Sequence, residues 1–248
     1  MVEVHRFSDY GMMSTAAAHF ITAVARRTCS LQDRWTLVLS GGTTPRRLYE
    51  LLASPERTQE IPWKKTHVFW ADERCVPPDH PESNYGGAYT MLLAKVGLPA
   101  ENIHRIFGEA PDPEQEALRY EAEIRDFFQL RCSVQAEGFP VFDLVLLGVG
   151  ADGHTASLFP GTSALEENTR WVVAVRAPHG VLPERRITLT LPVLNSAKTV
   201  LFLVSGNHKT RVVQDMLSNQ QNDHALLPAV RVAAQKTVWF MDTGTIKV

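Results

Sequence analysis

An aspartate and a histidine two positions apart, Asp152 and His154, stand in a glycine-rich turn that follows directly on the largely apolar run Phe142-Asp143-Leu144-Val145-Leu146-Leu147. Histidine ordinarily titrates nearest neutral pH, so it can take a proton from water and return it later, and a nearby carboxylate can orient the ring and stabilise its charged form. Polar groups delivered to the end of a buried strand in an α/β chain face the crevice where ligands gather. Glycines 148, 150 and 153 spell G-x-G-x-x-G. A dinucleotide site, however, needs a helix to open at the third glycine and an acidic residue to end a second strand. Here Pro160-Gly161 stops such a helix, and Glu166 and Glu167 precede a loop. The nine histidines form no H-E-x-x-H and no His-Cys cluster, and G-x-S-x-G is absent, so neither a metal nor a serine nucleophile is expected. Cys75 beside Arg74 is too generic a pairing to mark a nucleophile. A general base acting on water is the chemistry that remains.

Phosphate-compatible groups recur at other strand ends. In Ser40-Gly41-Gly42-Thr43-Thr44-Pro45-Arg46, paired glycines let backbone N–H groups approach a ligand, with a helix opening at Pro45 and Thr44 placed to cap it. Asp72-Glu73-Arg74 follows the strand-like Phe69-Trp70-Ala71, and Arg74 offers the fixed fork of donors that clamps a phosphate or carboxylate. Arg186 opens another strand, and Lys209 follows the apolar run Val200–Val204. Taken singly, Arg74 also fits an ion pair with a neighbouring carboxylate, and Arg186 and Lys209 fit solvated charges.

The elements that must position these residues alternate along the chain. Strand patterns fall at 35–40, 66–71, 142–147, 171–176, 186–191, 198–204 and 237–241, and helical periodicity at 11–28, 45–53, 84–95, 113–130 and 207–218. Loops rich in proline, glycine and charge separate them at 54–62, 76–83, 107–115, 131–140, 177–185 and 219–228. The alternation predicts an α/β fold, a largely parallel sheet covered by helices, and no linker divides residues 1–248 into more than one domain. A net charge of −2 gives no basic field for nucleic acid, so an anionic ligand must be held locally. Cys29, Cys75 and Cys132 read as reduced thiols, and neither a signal peptide nor a membrane span is evident, which points to the cytoplasm.

Together, Ser40–Pro45, Asp72-Glu73-Arg74 with Ser83-Asn84-Tyr85, Gly148–Gly161 through Asp152 and His154, Arg186-Ile-Thr-Leu-Thr-Leu-Pro192 and Gly206-x-x-Lys209 resemble the 6-phosphogluconolactonases across nearly the whole chain. The resemblance implies a Rossmann-like open, mostly parallel sheet with helices on both faces, as in the related glucosamine-6-phosphate deaminases. It implies hydrolysis of 6-phospho-D-glucono-1,5-lactone to 6-phospho-D-gluconate in the oxidative pentose phosphate pathway, without cofactor or metal, by a monomer or small homo-oligomer. On this reading His154 is the base and Asp152 or Asp72 orients it. Gly41, Gly42, Thr43, Thr44, Arg74, Arg186 and Lys209 hold the phosphate, and glycine-turn N–H groups or a nearby cation meet the oxyanion. The deaminases carry a catalytic glutamate five residues past the histidine of this turn, where this chain has Phe159. The alternatives are thus an amino-sugar-phosphate deaminase or isomerase, which Phe159 disfavours, and a silent sugar-phosphate sensor, which the Asp152–His154 pair disfavours.

Overall fold

A computed structural model describes residues 1–129, 138–206, 209–210, 212–214 and 227–242. Six strands, β1 (Val2–Phe7), β2 (Trp35–Leu39), β3 (Thr66–Trp70), β5 (Leu144–Gly148), β8 (Thr199–Val204) and β9 (Lys236–Asp242), form one parallel sheet in the order β1-β9-β8-β5-β2-β3. Strands buried on both faces have no polar alternation, and β2 (Trp-Thr-Leu-Val-Leu) is buried at every position. The helices α1 (Tyr10–Leu31), α2 (Arg46–Leu52), α3 (Pro55–Glu60), α4 (Asn84–Met91), α5 (Pro113–Gln129) and α6 (Leu191–Ser196) accompany the strands. Asp9 caps α1 by accepting from Met12 N at 2.8 Å, and the helix buries Met13, Ser14, Ala17, Ala18, Ile21, Thr22 and Ala25, one stripe at three- and four-residue spacing.

The remaining strands, β4 (Asp72–Arg74), β7 (Arg185–Leu189) and β6 (Val172–Arg176), make a separate antiparallel sheet in that order. The sequence pattern predicts no second sheet and carries the strand at 66–71 straight into Asp72-Glu73-Arg74. Ala71 is instead a pivot: its N–H donates to Leu39 O in the large sheet at 2.9 Å, and its carbonyl accepts from Leu189 N in the small one at 2.8 Å. Two further differences are local. The segment expected as a loop at 54–62 contains α3, and β1 escapes the sequence pattern because, as an edge strand, it leaves most of its side chains outside the core. Most of the helix expected at 207–218, most of the loops at 131–140 and 219–228, and Cys132 lie outside the described residues.

Asp143 pins the sheet at the end remote from the strand carboxyl termini. Its buried carboxylate accepts from Thr36 N at 2.8 Å, Thr36 Oγ1 at 3.1 Å and Lys198 Nζ at 2.7 Å, joining the starts of β2, β5 and β8. At the opposite end, β2 and β5 are neighbours whose chains depart in opposite directions, β2 toward β3 and β5 toward β8 and β9. Diverging connections open a crevice at that switch point.

Candidate active site

A cavity of about 230 Å³ occupies the crevice and is lined from the segments after β2, β5 and β8 and from β4 and β7. Of the expected site residues, Asp72, His154, Gly41, Gly42, Thr43, Thr44, Arg74, Arg186 and Lys209 all line it. Asp152 is absent from the lining and is bonded to His154.

The segment after β2 is moored at its root. Ser40 Oγ donates to Leu146 O at 2.7 Å, and Tyr49 on α2 donates its hydroxyl to Ser40 O at 2.6 Å. Gly42 turns the chain at φ +89°, a conformation that favours glycine. Beyond it, the N–H groups of Gly42, Thr43 and Thr44 carry no hydrogen bond to another described residue, leaving donors free for an anion. The expected cap is not made. The helix starts at Arg46 with Pro45 in the cap position and no side-chain cap, because the Thr44 hydroxyl is turned to accept from Lys209 Nζ at 3.4 Å.

The turn after β5 places the histidine. Gly150 N donates to His154 O at 2.8 Å and Gly153 N to Gly150 O at 3.0 Å. The His154 ring lies so close over Gly150 that a Cβ there would stand 2.2 Å from both Cε1 and Nδ1. Gly153 sits at φ +83°, with Leu227 where a side chain would project. These glycines therefore serve a histidine and a packed neighbour, not a pyrophosphate. Asp152 Oδ1 meets His154 Nδ1 at 2.6 Å and also accepts from its backbone N–H at 3.1 Å. Among the described residues nothing bonds Nε2, the nitrogen left for chemistry. Burial raises the Asp152 pKa, but the hydrogen bond and charge of His154 outweigh it and hold the carboxyl below its ordinary range. The Gly150, Gly153 and His154 amides are thus committed, while Ala151, a cavity residue, keeps an N–H free of described partners.

Asp72, the other expected orienter of the base, is engaged elsewhere. Its Oδ2 accepts from Ser157 Oγ at 2.7 Å and its Oδ1 from Asn84 Nδ2 at 3.2 Å, so the carboxylate is gripped from the glycine turn and from the start of α4. Asn84 and Ser157 stand in the sequence motifs, but their grip on Asp72 is not legible in the sequence because the contacts reach across 12 and 85 positions. Glu73, on the other side of β4, points away and caps α4, accepting from Asn84 N and Tyr85 N at 2.7 Å each.

The antiparallel register sets Arg74 opposite Arg186. Arg74 donates to Glu82 O at 2.7 Å and pairs with the Glu82 carboxylate at 3.3 Å, realising the ion-pair alternative while still lining the cavity. Arg186, 4 % exposed, spends its Nε on Pro183 O at 3.0 Å. Burial lowers the Arg186 pKa against the supporting charge of Asp72, and burial lowers that of Lys209 against the charge of Asp242. Arg74, Arg186 and Lys209 thus face one lining carboxylate, Asp72, and a chain of net charge −2 carries a locally cationic pocket. Among the described residues no group of three His, Cys, Asp or Glu side chains is placed to hold a metal.

Residues 8–239 match the family described as glucosamine-6-phosphate isomerases/6-phosphogluconolactonase. The chain belongs to that family. Within the family it is similar to the 6-phosphogluconolactonase of Synechocystis, 42% identical over 90% of this chain and 88% of the relative, and to that of Nostoc, 41% identical over 86% and 84%. Among solved structures, the 6-phosphogluconolactonase of Thermotoga maritima superposes with a TM-score of 0.81 at 30% identity, covering 98% of this chain and 100% of the other. A monomeric glucosamine-6-phosphate deaminase, 21% identical with a TM-score of 0.81 over 98% of each chain, shares the fold. In this family member the side chain five positions past His154 is Phe159, 1 % exposed, with its ring centroid 4.5 Å from that of the imidazole.

Proposed function

We propose that this chain hydrolyses 6-phospho-D-glucono-1,5-lactone to 6-phospho-D-gluconate, the lactone-opening step of the oxidative pentose phosphate pathway, with His154 as general base. The observation that carries the reading is a histidine fixed by Asp152 at Nδ1, in the same cavity as three cations, with Nε2 and a row of N–H groups unbonded among the described residues. The relatives' names support the substrate, and Phe159 in place of a carboxylate speaks against the amine chemistry of the deaminases.

In the mechanism, Nε2 of neutral His154 takes a proton from water as the water oxygen bonds to C1, and the carbonyl π electrons move onto the oxygen. The Ala151 N–H, without a partner among the described residues, is a donor for that oxyanion. Collapse re-forms the carbonyl, breaks the bond from C1 to the ring oxygen, and the imidazolium returns its proton to that oxygen. Asp152 holds the tautomer with Nδ1 protonated and stabilises the imidazolium between the two transfers. Asp72, gripped by Ser157 and Asn84, supports the charge of Arg186. Arg74, Arg186, Lys209 and the Gly41–Thr44 segment bind the phosphate. A cytoplasmic location, a monomeric or small homo-oligomeric state and the lack of any cofactor requirement belong to the same proposal.

Incubation with freshly generated phosphogluconolactone should release protons well above the spontaneous rate, and glucosamine 6-phosphate should release no ammonia. Ammonia without lactonase activity would favour a deaminase, and binding without either reaction would favour a sensor.

A further inference from the structure

We infer that Phe159 is a positioning residue for His154: its ring is the wall on which the imidazole rests, and it also neighbours Arg186. The inference builds on the proposed role of His154. The Asp152 hydrogen bond holds Nδ1 at one point, and a single point does not fix the plane of a ring. Two surfaces do so here. Gly150 lies against the Nδ1–Cε1 edge, and the phenyl ring of Phe159 packs at 4.5 Å between centroids with 42° between planes. Phe159 is itself immobilised: its side chain is 1 % exposed, and its carbonyl accepts from Thr162 Oγ1 at 2.8 Å and Thr162 N at 3.3 Å.

The same ring also faces the Arg186 guanidinium, whose central carbon lies 5.6 Å from the phenyl centroid. When His154 takes a proton, the new positive charge lies against an aromatic π system that also neighbours the Arg186 guanidinium. A cation is attracted to the face of a ring and repelled by another cation, so the phenyl favours the imidazolium. The charged groups around His154 are Asp152 on its own turn, Asp72, Arg74 and Arg186 on β4 and β7, and Lys209 after β8. Of these, Arg186 is the one that Phe159 touches.

The experiment compares Phe159→Leu, Phe159→Met and Phe159→Tyr with His154→Ala, using phosphorylated and unphosphorylated gluconolactone. Loss of the aromatic wall in the leucine and methionine variants should lower kcat about 10-fold on both substrates, as expected of a displaced base. The KM for the phosphorylated lactone should stay unchanged, and the acid limb of the kcat profile and the His154 NMR titration should both move to lower pH. Phe159→Tyr, which keeps the ring, should recover most of the turnover. The inference is overturned if a folded leucine or methionine variant keeps full kcat with an unmoved titration. A parallel rise in KM, or a leucine or methionine variant that loses thermal stability alone, would equally assign Phe159 to packing and overturn it. Full turnover in His154→Ala would instead remove the underlying reading of the base, whatever the Phe159 variants do.

Discussion

Replacing Gly150 with alanine separates the geometry of the base from the stability of its turn. The backbone at Gly150 is outside the left-handed region, so an alanine is not strained there, yet its Cβ would stand 2.2 Å from Cε1 and Nδ1 of His154 and 2.7 Å from Asp152 Oδ1. Ordinary contact begins at 3.4 Å, so the imidazole must retreat by 3.4 − 2.2, or roughly 1.2 Å, and the 2.6 Å bond to Asp152 cannot survive in place. A misplacement of about 1 Å in a reacting group costs on the order of 100-fold in rate, equivalent to about 2.7 kcal/mol of barrier. The assay is pH-stat proton release corrected for spontaneous hydrolysis, together with thermal melting. Gly150→Ala should lose about 100-fold in kcat with little change in KM and a modest change in Tm. Gly148→Ala is the matched control, because its Cβ meets nothing within 4 Å, so its Tm should be unchanged and any effect confined to KM. Wild-type kcat in Gly150→Ala would show that the position of the His154 ring does not govern the reaction.

Glu82→Gln removes the carboxylate paired with Arg74 and should lower the KM for the phosphorylated lactone a few-fold, with no effect on the unphosphorylated one. Burial lowers the Lys209 pKa, so rising pH removes this cation before an ordinary lysine would lose its charge. Calorimetric affinity for 6-phosphogluconate should accordingly fall as pH climbs toward 10.5, the ordinary value, and Lys209→Met should abolish that step. Asp143→Ala leaves the Thr36 N–H buried without its acceptor at the end of the sheet remote from the cavity, and should cost about 2 kcal/mol in urea unfolding while kcat stays unchanged.

The parallel sheet and the turn that ends β5 are legible in the sequence because burial on both faces writes itself as apolar runs, and a run that empties into glycine, aspartate and histidine announces a strand end. What the run cannot show is a change of sheet. Asp72-Glu73-Arg74 is too short for its alternation to be recognised, and the pivot at Ala71 depends on Leu39 and Leu189, neither of them near in sequence. Arg74 and Arg186 each read in the sequence as an anion binder, but only the antiparallel register sets them side by side. The choice between Asp152 and Asp72 was open in the sequence because each is a carboxylate near a strand end. It turns on where the Asn84 and Ser157 donors point. Gly150 and Gly153 were legible as a motif and misleading as a nucleotide signal, since the groups that require them are an imidazole and Leu227.

The central claim is that the proton moves through His154. Turnover of phosphogluconolactone by a His154→Ala protein whose melting curve matches wild type tests it most directly. The account predicts a loss in kcat on the order of 10² to 10⁴, with the KM for the phosphorylated lactone little changed because the cations proposed to hold the phosphate are untouched. Undiminished kcat in that folded variant would contradict it.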